Sequence, residues 1–154
     1  DEPEILPNHS YETILTNDGF ILGGQSRIAQ NEKCELKLEY HGNLVVTRKI
    51  DSVKKVAWQS FSGQDIKFLD DDLKFTLQGD GNLVIYGRRI ASQSYDVIWR
   101  SRTNMLQGLA PFQYFELRFD EDCRLVLVGT GQQYTGPLMQ DCKSNYEIGT
   151  IDRS

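Results

Sequence analysis

The chain has 154 residues, room for one hydrophobic core and too little for two, so a single domain over residues 1–154 is expected. Its 17 Lys and Arg against 22 Asp and Glu give a net charge of -5 with no basic stripe, which argues against nucleic-acid binding because phosphate contacts need a basic face. No apolar run approaches the roughly 20 residues that span a bilayer, so no transmembrane segment is expected.

In chain order, the sequence begins at Asp1 with neither an initiator Met nor a charged-then-apolar leader, the appearance of a mature secreted protein, although a trimmed chain would look the same. Asn8-His9-Ser10 is a glycosylation sequon in an N-terminal loop, with Asn8 as the acceptor, and it leans toward secretion. From Cys34 onward the chain repeats itself. Three segments align on a shared Leu-Val pair: CELKLEYHGNLVVT from Cys34 to Thr47, LKFTLQGDGNLVIY from Leu73 to Tyr86, and FELRFDEDCRLVLV from Phe115 to Val128. Asn43 and Asn82 lie 39 residues apart and Asn82 and Arg124 lie 42 apart. A second landmark, Val56-Ala57-Trp58, Val97-Ile98-Trp99 and Pro137-Leu138-Met139, recurs at about the same spacing, so the period is real. The repeats run over about 12–62, 63–103 and 104–142, with a polar tail at 143–154. The paired bases Lys54-Lys55 and Arg88-Arg89 fall between apolar runs and read as solvated hairpin loops.

Within each repeat, apolar and polar residues alternate, the period of a strand with one buried face, and a Gly-rich or acidic break interrupts the run as a hairpin turn does. An all-β fold follows. In the second repeat the alternation sets Gln78 against Asn82, Thr76 against Val84 and Lys74 against Tyr86 across a Gly79-Asp80-Gly81 loop. Leu73, Phe75, Leu77, Leu83 and Ile85 then face the core. Gln78, Asn82, Val84 and Tyr86 share the other face, with Asp80 at the tip. Amides, a carboxylate, a phenol and one small apolar group on one patch suit a ligand with adjacent hydroxyls and a C–H face, which describes a sugar. No nucleophile stands beside a base there, so catalysis is not implied.

Gln78-x-Asp80-x-Asn82-x-Val84-x-Tyr86 matches all five positions of the QxDxNxVxY motif, and the chain resembles the bulb-type, or monocot mannose-binding, lectins over roughly residues 12–142. Leu15-Thr16-Asn17-Asp18-Gly19-Phe20-Ile21 is similar to that family's opening strand, and Trp58 and Trp99 fall where its tryptophans follow each motif. The resemblance implies a β-prism II fold, three antiparallel sheets about a pseudo-threefold axis, with calcium-independent binding of mannose or mannose-rich glycans. Gln78, Asp80, Asn82 and Tyr86 would hydrogen-bond the sugar, with Asp80 and Asn82 reading its axial 2-hydroxyl, while Val84 packs on its carbon skeleton. The first repeat departs from the motif with Glu39, His41, Asn43, Val45 and Thr47, and the third with Asp120, Asp122, Arg124, Val126 and Val128. One working site and two silent or altered ones are expected. Trp58 and Trp99 each end an apolar strand and are expected to fill the prism axis.

Cys34, Cys123 and Cys142 have no CxxC spacing and only His9 and His41 to join them, so no metal site and no cofactor are expected. The resemblance implies a Cys34–Cys123 bridge, the cyclic equivalent of the family's disulfide, while the sequence-local pair Cys123–Cys142 stays open. It also suggests a homodimer made by exchanging a C-terminal strand; a frayed end is the alternative. The functional expectation is a secreted, non-enzymatic lectin whose partners are mannose-containing glycans. A protein-interaction module on the same fold, with vestigial sugar binding, is the alternative. A β-trefoil enzyme or inhibitor shares the period but would carry a QxW signature, and Val56 and Val97 stand where its Gln would be.

Overall fold

The computed structural model describes residues 11–64, 72–90, 94–103, 112–135 and 138–147, all strand, turn or loop apart from isolated 3-10 residues. Asn8 lies outside the described residues. The described residues form twelve strands: β1 (Tyr11–Thr16), β2 (Phe20–Leu22), β3 (Ser26–Ile28), β4 (Cys34–Leu38), β5 (Leu44–Ile50), β6 (Val53–Gln59), β7 (Lys74–Leu77), β8 (Leu83–Arg88), β9 (Tyr95–Arg100), β10 (Phe112–Asp120), β11 (Leu125–Thr135) and β12 (Leu138–Glu147). They form three four-stranded antiparallel sheets in the orders β3-β4-β5-β6, β2-β7-β8-β9 and β1-β10-β11-β12. The fold is all-β, a β-prism II.

The alternation of side chains explains the core. Leu36 and Leu38 from the first sheet, Phe75, Leu77, Leu83 and Ile85 from the second, and Phe115, Leu117 and Leu127 from the third are all fully buried in one cluster. Each such side chain contributes about 1.5–3 kcal/mol by leaving water. Trp58 and Trp99 pack against this cluster and meet edge to face, ring centroids 5.8 Å apart, which joins the first sheet to the second. Their aim follows from a shared irregularity: the β5–β6 register shifts between Val46 and Thr47, and the β8–β9 register shifts at the equivalent step between Ile85 and Tyr86. One strand gains a residue there, and the residues beyond it, Val56 and Val97, face solvent.

The three hairpins close identically. Gly42, Gly81 and Cys123 occupy the same turn position at φ of 100°, 88° and 63°. Each donates its N–H to the carbonyl three residues back, on Glu39, Gln78 and Asp120, at 2.9–3.0 Å. Glycine accepts this left-handed conformation without strain, whereas Cys123 is held there by its disulfide to Cys34, 5.3 Å away between Cα atoms. The bridge therefore ties the third hairpin to the first strand of the β4–β5 hairpin, and it decides the pairing that the spacing left open.

The N-terminal segment supplies one strand to each sheet, β1 to the third, β2 to the second and β3 to the first. Leu15–Ile21 is accordingly not one opening strand. Asn17-Asp18-Gly19 turns the chain between β1 and β2: the Asn17 side chain accepts from the Phe115 N–H at 2.9 Å in the third sheet, while Asp18 N–H donates to the Leu77 carbonyl at 2.7 Å in the second. Lys54 and Lys55 also differ from expectation, for they lie within β6, opposite Lys49 and Arg48, with their side chains in solvent. Arg88 ends β8, where its guanidinium stacks on Tyr95 at 4.5 Å. The tail is strand as far as Glu147, because β11 offers β12 a continuous ladder from Val126 to Thr135.

A Cβ on Gly81 would lie 2.6 Å from the Phe115 ring as well as in the left-handed region. Gly81→Ala is expected to cost about 2 kcal/mol or more, read as a lower urea midpoint, with no comparable loss for Gly79→Ala, whose Cβ meets nothing.

Candidate functional site

The second hairpin registers as the alternation demands, with Lys74 opposite Tyr86, Thr76 opposite Val84 and Leu77 opposite Leu83. Gln78 N–H closes the pair on the Asn82 carbonyl at 2.9 Å. The outer face therefore carries Gln78, Asn82, Val84 and Tyr86 in sequence, with Asp80 exposed at the tip. The Gln78 amide donates to the Tyr86 hydroxyl, so the first and last motif side chains already hold one another in place. Asp80 Oδ1 accepts the Asn82 N–H at 2.9 Å, and the residue is otherwise exposed. Val84 is only 3% exposed, and it forms the floor of the patch and not a ridge.

Asn82 does a second job that the motif does not announce. Its Oδ1 accepts from the Arg102 N–H at 2.9 Å and lies 3.4 Å from Ser101 Oγ, whose closer partner is Thr103 Oγ1 at 2.6 Å. Ser101 Oγ in turn accepts from the Leu83 N–H, and Thr103 Oγ1 donates to the Gly81 carbonyl. This is a clamp that pins the end of β9 to the hairpin turn. With Oδ1 occupied, the group Asn82 can offer a ligand is its amide donor.

The first hairpin carries the same clamp. Asn43 Oδ1 accepts from Ser60 Oγ at 3.2 Å and from Ser62 N–H at 3.3 Å, Ser60 Oγ accepts from Leu44 N–H, and Ser62 Oγ donates to the Gly42 carbonyl. Here the amide is also spent, because Asn43 Nδ2 donates to Gln59 Oε1 at 2.8 Å. Glu39 and His41 stand 3.6 Å apart at the tip, Val45 is buried, and Thr47 occupies the place of the phenol. The retained Asn and Val of this repeat are thus explained by folding alone.

In the third hairpin Asp120 takes the place of Gln78 and is 3% exposed. Its Oδ1 accepts two backbone N–H groups, from Asp122 and Arg124, and its Oδ2 accepts from Arg124 Nε at 2.6 Å. Asp122 also meets Arg48 of the first sheet at 3.4 Å, and Val126 and Val128 are buried. Beside them Glu116 titrates low: burial alone would raise its pKa, but hydrogen bonds from Thr13 and Arg118 and the charge of Arg118 more than offset that. The third face therefore spends its polar groups on one another.

The structure thus gathers the five residues of the second motif on one face, while in the other two repeats Asn43 is bonded to Gln59, Glu39 stands beside His41, and Asp120 is bonded to Arg124. Sequence reasoning missed the clamp residues Ser60, Ser62, Ser101 and Thr103. Their signal was present, since Ser60–Ser101 and Ser62–Thr103 both repeat at 41 residues, close to the period of the motif. Among the described residues no group of three His, Cys, Asp or Glu is placed to hold a metal.

Because the first clamp holds structure and no patch, Asn43→Ala is expected to lose about 1–3 kcal/mol of stability by leaving the Ser62 N–H without its acceptor and Gln59 Oε1 without its donor, while Ser60 Oγ keeps Ser62 Oγ at 2.6 Å. Thermal or urea unfolding measures it.

No family model and no curated protein matches the chain. Among solved structures it is similar to the Japanese Marasmius oreades lectin, with a TM-score of 0.53 and 17% sequence identity over 90% of this chain and 93% of that one. A likeness at that identity shows a shared fold, the three-sheet prism described above.

Proposed function

We propose that the chain is a non-enzymatic carbohydrate-binding protein that takes mannose or mannose-rich glycans, without calcium, on the outer face of the β7–β8 hairpin. The observation that carries this reading is the outward set of Gln78, Asp80, Asn82 and Tyr86 over the Val84 floor, with the Gln78–Tyr86 bond holding two of them before any ligand arrives. The structural neighbour is a lectin by name, which supports carbohydrate binding in general. Each neutral hydrogen bond to a sugar is worth about 0.5–1.5 kcal/mol net, so one site of this size binds weakly, near the millimolar range.

The closed first and third faces support one working site per chain. Multivalent glycans, or a homodimer made by exchanging the C-terminal strand, would then supply the avidity that a single weak site lacks. The Cys34–Cys123 disulfide is consistent with an oxidising, extracellular setting. The two closed faces equally favour a second reading, in which the prism presents a protein-binding surface and sugar recognition is vestigial.

Titration with methyl α-mannoside in the presence of a calcium chelator distinguishes them. Saturable binding is expected, weakened about two- to tenfold in Tyr86→Phe and in Gln78→Ala, each of which removes a hydrogen-bonding group while sparing the clamp. No response from the unaltered chain at tens of millimolar mannoside, on the order of ten times the expected Kd, rejects the sugar reading in favour of the second.

A further inference from the structure

The three sheets can be compared position by position, and the comparison separates the motif hairpin from the others by charge. Residues opposite one another on adjacent antiparallel strands share a face, with Cβ atoms about 5 Å apart. On the second sheet Tyr86 is flanked across β7 by Lys74, and Val84 is flanked across β9 by Arg100. The equivalent neighbours on the first sheet are Glu35, opposite Thr47, and Gln59, opposite Val45. On the third sheet they are Glu116, opposite Val128, and Glu147, opposite Val126. Arg102 adds to the contrast: its backbone N–H is bound by Asn82 and its side chain is exposed, while the corresponding residue of the first repeat is Phe61. A chain of net charge -5 thus sets Lys74, Arg100 and Arg102 around the one complete motif, where the first sheet has Glu35, Gln59 and Phe61 and the third has Glu116 and Glu147; the cations of those two sheets, Lys37 opposite Val45 and Arg118 opposite Val126, stand where the second sheet has Thr76.

Among the described residues, Lys74, Arg100 and Arg102 form no ion pair. Lys74 is steadied by the Phe20 ring, 4.8 Å from its centroid, and Arg100 and Arg102 are exposed. The acidic member of the motif, Asp80, sits at the turn, on the far side of Asn82 from the Val84–Arg100 pair. An anion would therefore lie toward the β9 side of the patch, away from Asp80.

The identity of residue 100 has a second consequence. At the equivalent place Gln59 accepts the Asn43 amide and closes it, which shows that a side chain there reaches the motif Asn. Arginine has five donors and no acceptor, so Arg100 is unable to take the Asn82 amide in the same way. The amide stays available to a ligand.

Resting on the reading of this face as a mannose site, we propose that its ligand is an acidic mannose-containing glycan, one whose phosphate, sulfate or carboxylate substituent is held by Arg100 and Arg102, and that Arg100 is the residue that sets this specificity. A charge-assisted bond from guanidinium to an anionic oxygen is stronger than the neutral bonds to the sugar ring, and it is screened by salt where it is exposed.

The test compares methyl α-mannoside, mannose 6-phosphate and inorganic phosphate on the unaltered chain, Arg100→Ala, Arg100→Gln and the Arg100→Ala/Arg102→Ala double variant, with unfolding curves confirming that each is folded. Mannose 6-phosphate is expected to bind about tenfold more tightly than methyl mannoside at low salt, a gap that narrows at about 0.5 M salt and closes in the double variant. Arg100→Gln is expected to weaken methyl mannoside further than Arg100→Ala does, because the new Oε1 takes the Asn82 amide. Equal affinity for the two sugars, or a preference that survives the double variant, overturns the proposal and leaves the mannose site standing. Binding of inorganic phosphate as tight as that of mannose 6-phosphate, with no response to methyl mannoside, overturns both readings and makes the face a plain anion site.

Discussion

The left-handed residue at the tip of each hairpin is the constraint from which the rest of this molecule follows. Gly42, Gly81 and Cys123 reverse the chain with the same two backbone bonds, and that geometry admits one register on either side. A slip of one residue would turn Leu77, Leu83 and Ile85 to solvent and the motif into the core. The turn thus chooses which face of each sheet is apolar, and three apolar faces meeting at one axis make the prism. Where the third repeat lacks glycine, the half-cystine that replaces it brings a covalent tie to Cys34, so a strained position also carries the link between the first and third hairpins.

The Asn–Ser clamp shows how one residue can serve both fold and surface. Asn43 and Asn82 use the same carbonyl oxygen to hold the end of the last strand of their sheets, through the N–H of Ser62 and of Arg102, and only the Asn43 amide is taken by a neighbour, Gln59. This explains why an Asn persists in a repeat whose other polar positions have changed: its removal would leave a backbone N–H of the clamp without its acceptor. Presence of part of a motif is therefore poor evidence of a working site. Availability of its atoms is better evidence, and hydrogen-bond accounting supplies it.

Charge acts on top of this shared frame. Neutral hydrogen bonds exchanged with water give little net affinity, so a patch of neutral groups gains most from charged groups at its rim. On the second sheet Tyr86 and Val84 have the cations Lys74 and Arg100 across from them, whereas in the third Glu116 and Asp120 are paired with Arg118 and Arg124. The same backbone thus presents three faces of different chemistry, because cross-strand neighbours, which lie far away in sequence, decide the surroundings of each motif.

Most of the architecture was legible from residue order. Strict alternation, a recurring Leu-Val pair and turn residues at a period of about 40 specify three hairpins and the face each one buries, since those are local properties of strands and turns. The grouping of Gln78, Asp80, Asn82, Val84 and Tyr86 was legible for the same reason. Other features were decided by tertiary structure. The N-terminal segment reads as one opening strand, and only packing reveals that Asn17–Gly19 splits it between two sheets, because the bonds that hold the turn come from Phe115 and Leu77. Cysteine spacing left two pairings open, and the closing of the third hairpin against the first strand of another sheet chose Cys34–Cys123. The buried Val84, the clamp and the Arg100 neighbour of the motif depend on which residue of β9 stands across from β8, a register offset by a bulge. Alternation within one strand predicts its own faces, whereas the partner of a face is set by pairing between segments that only the folded chain brings together.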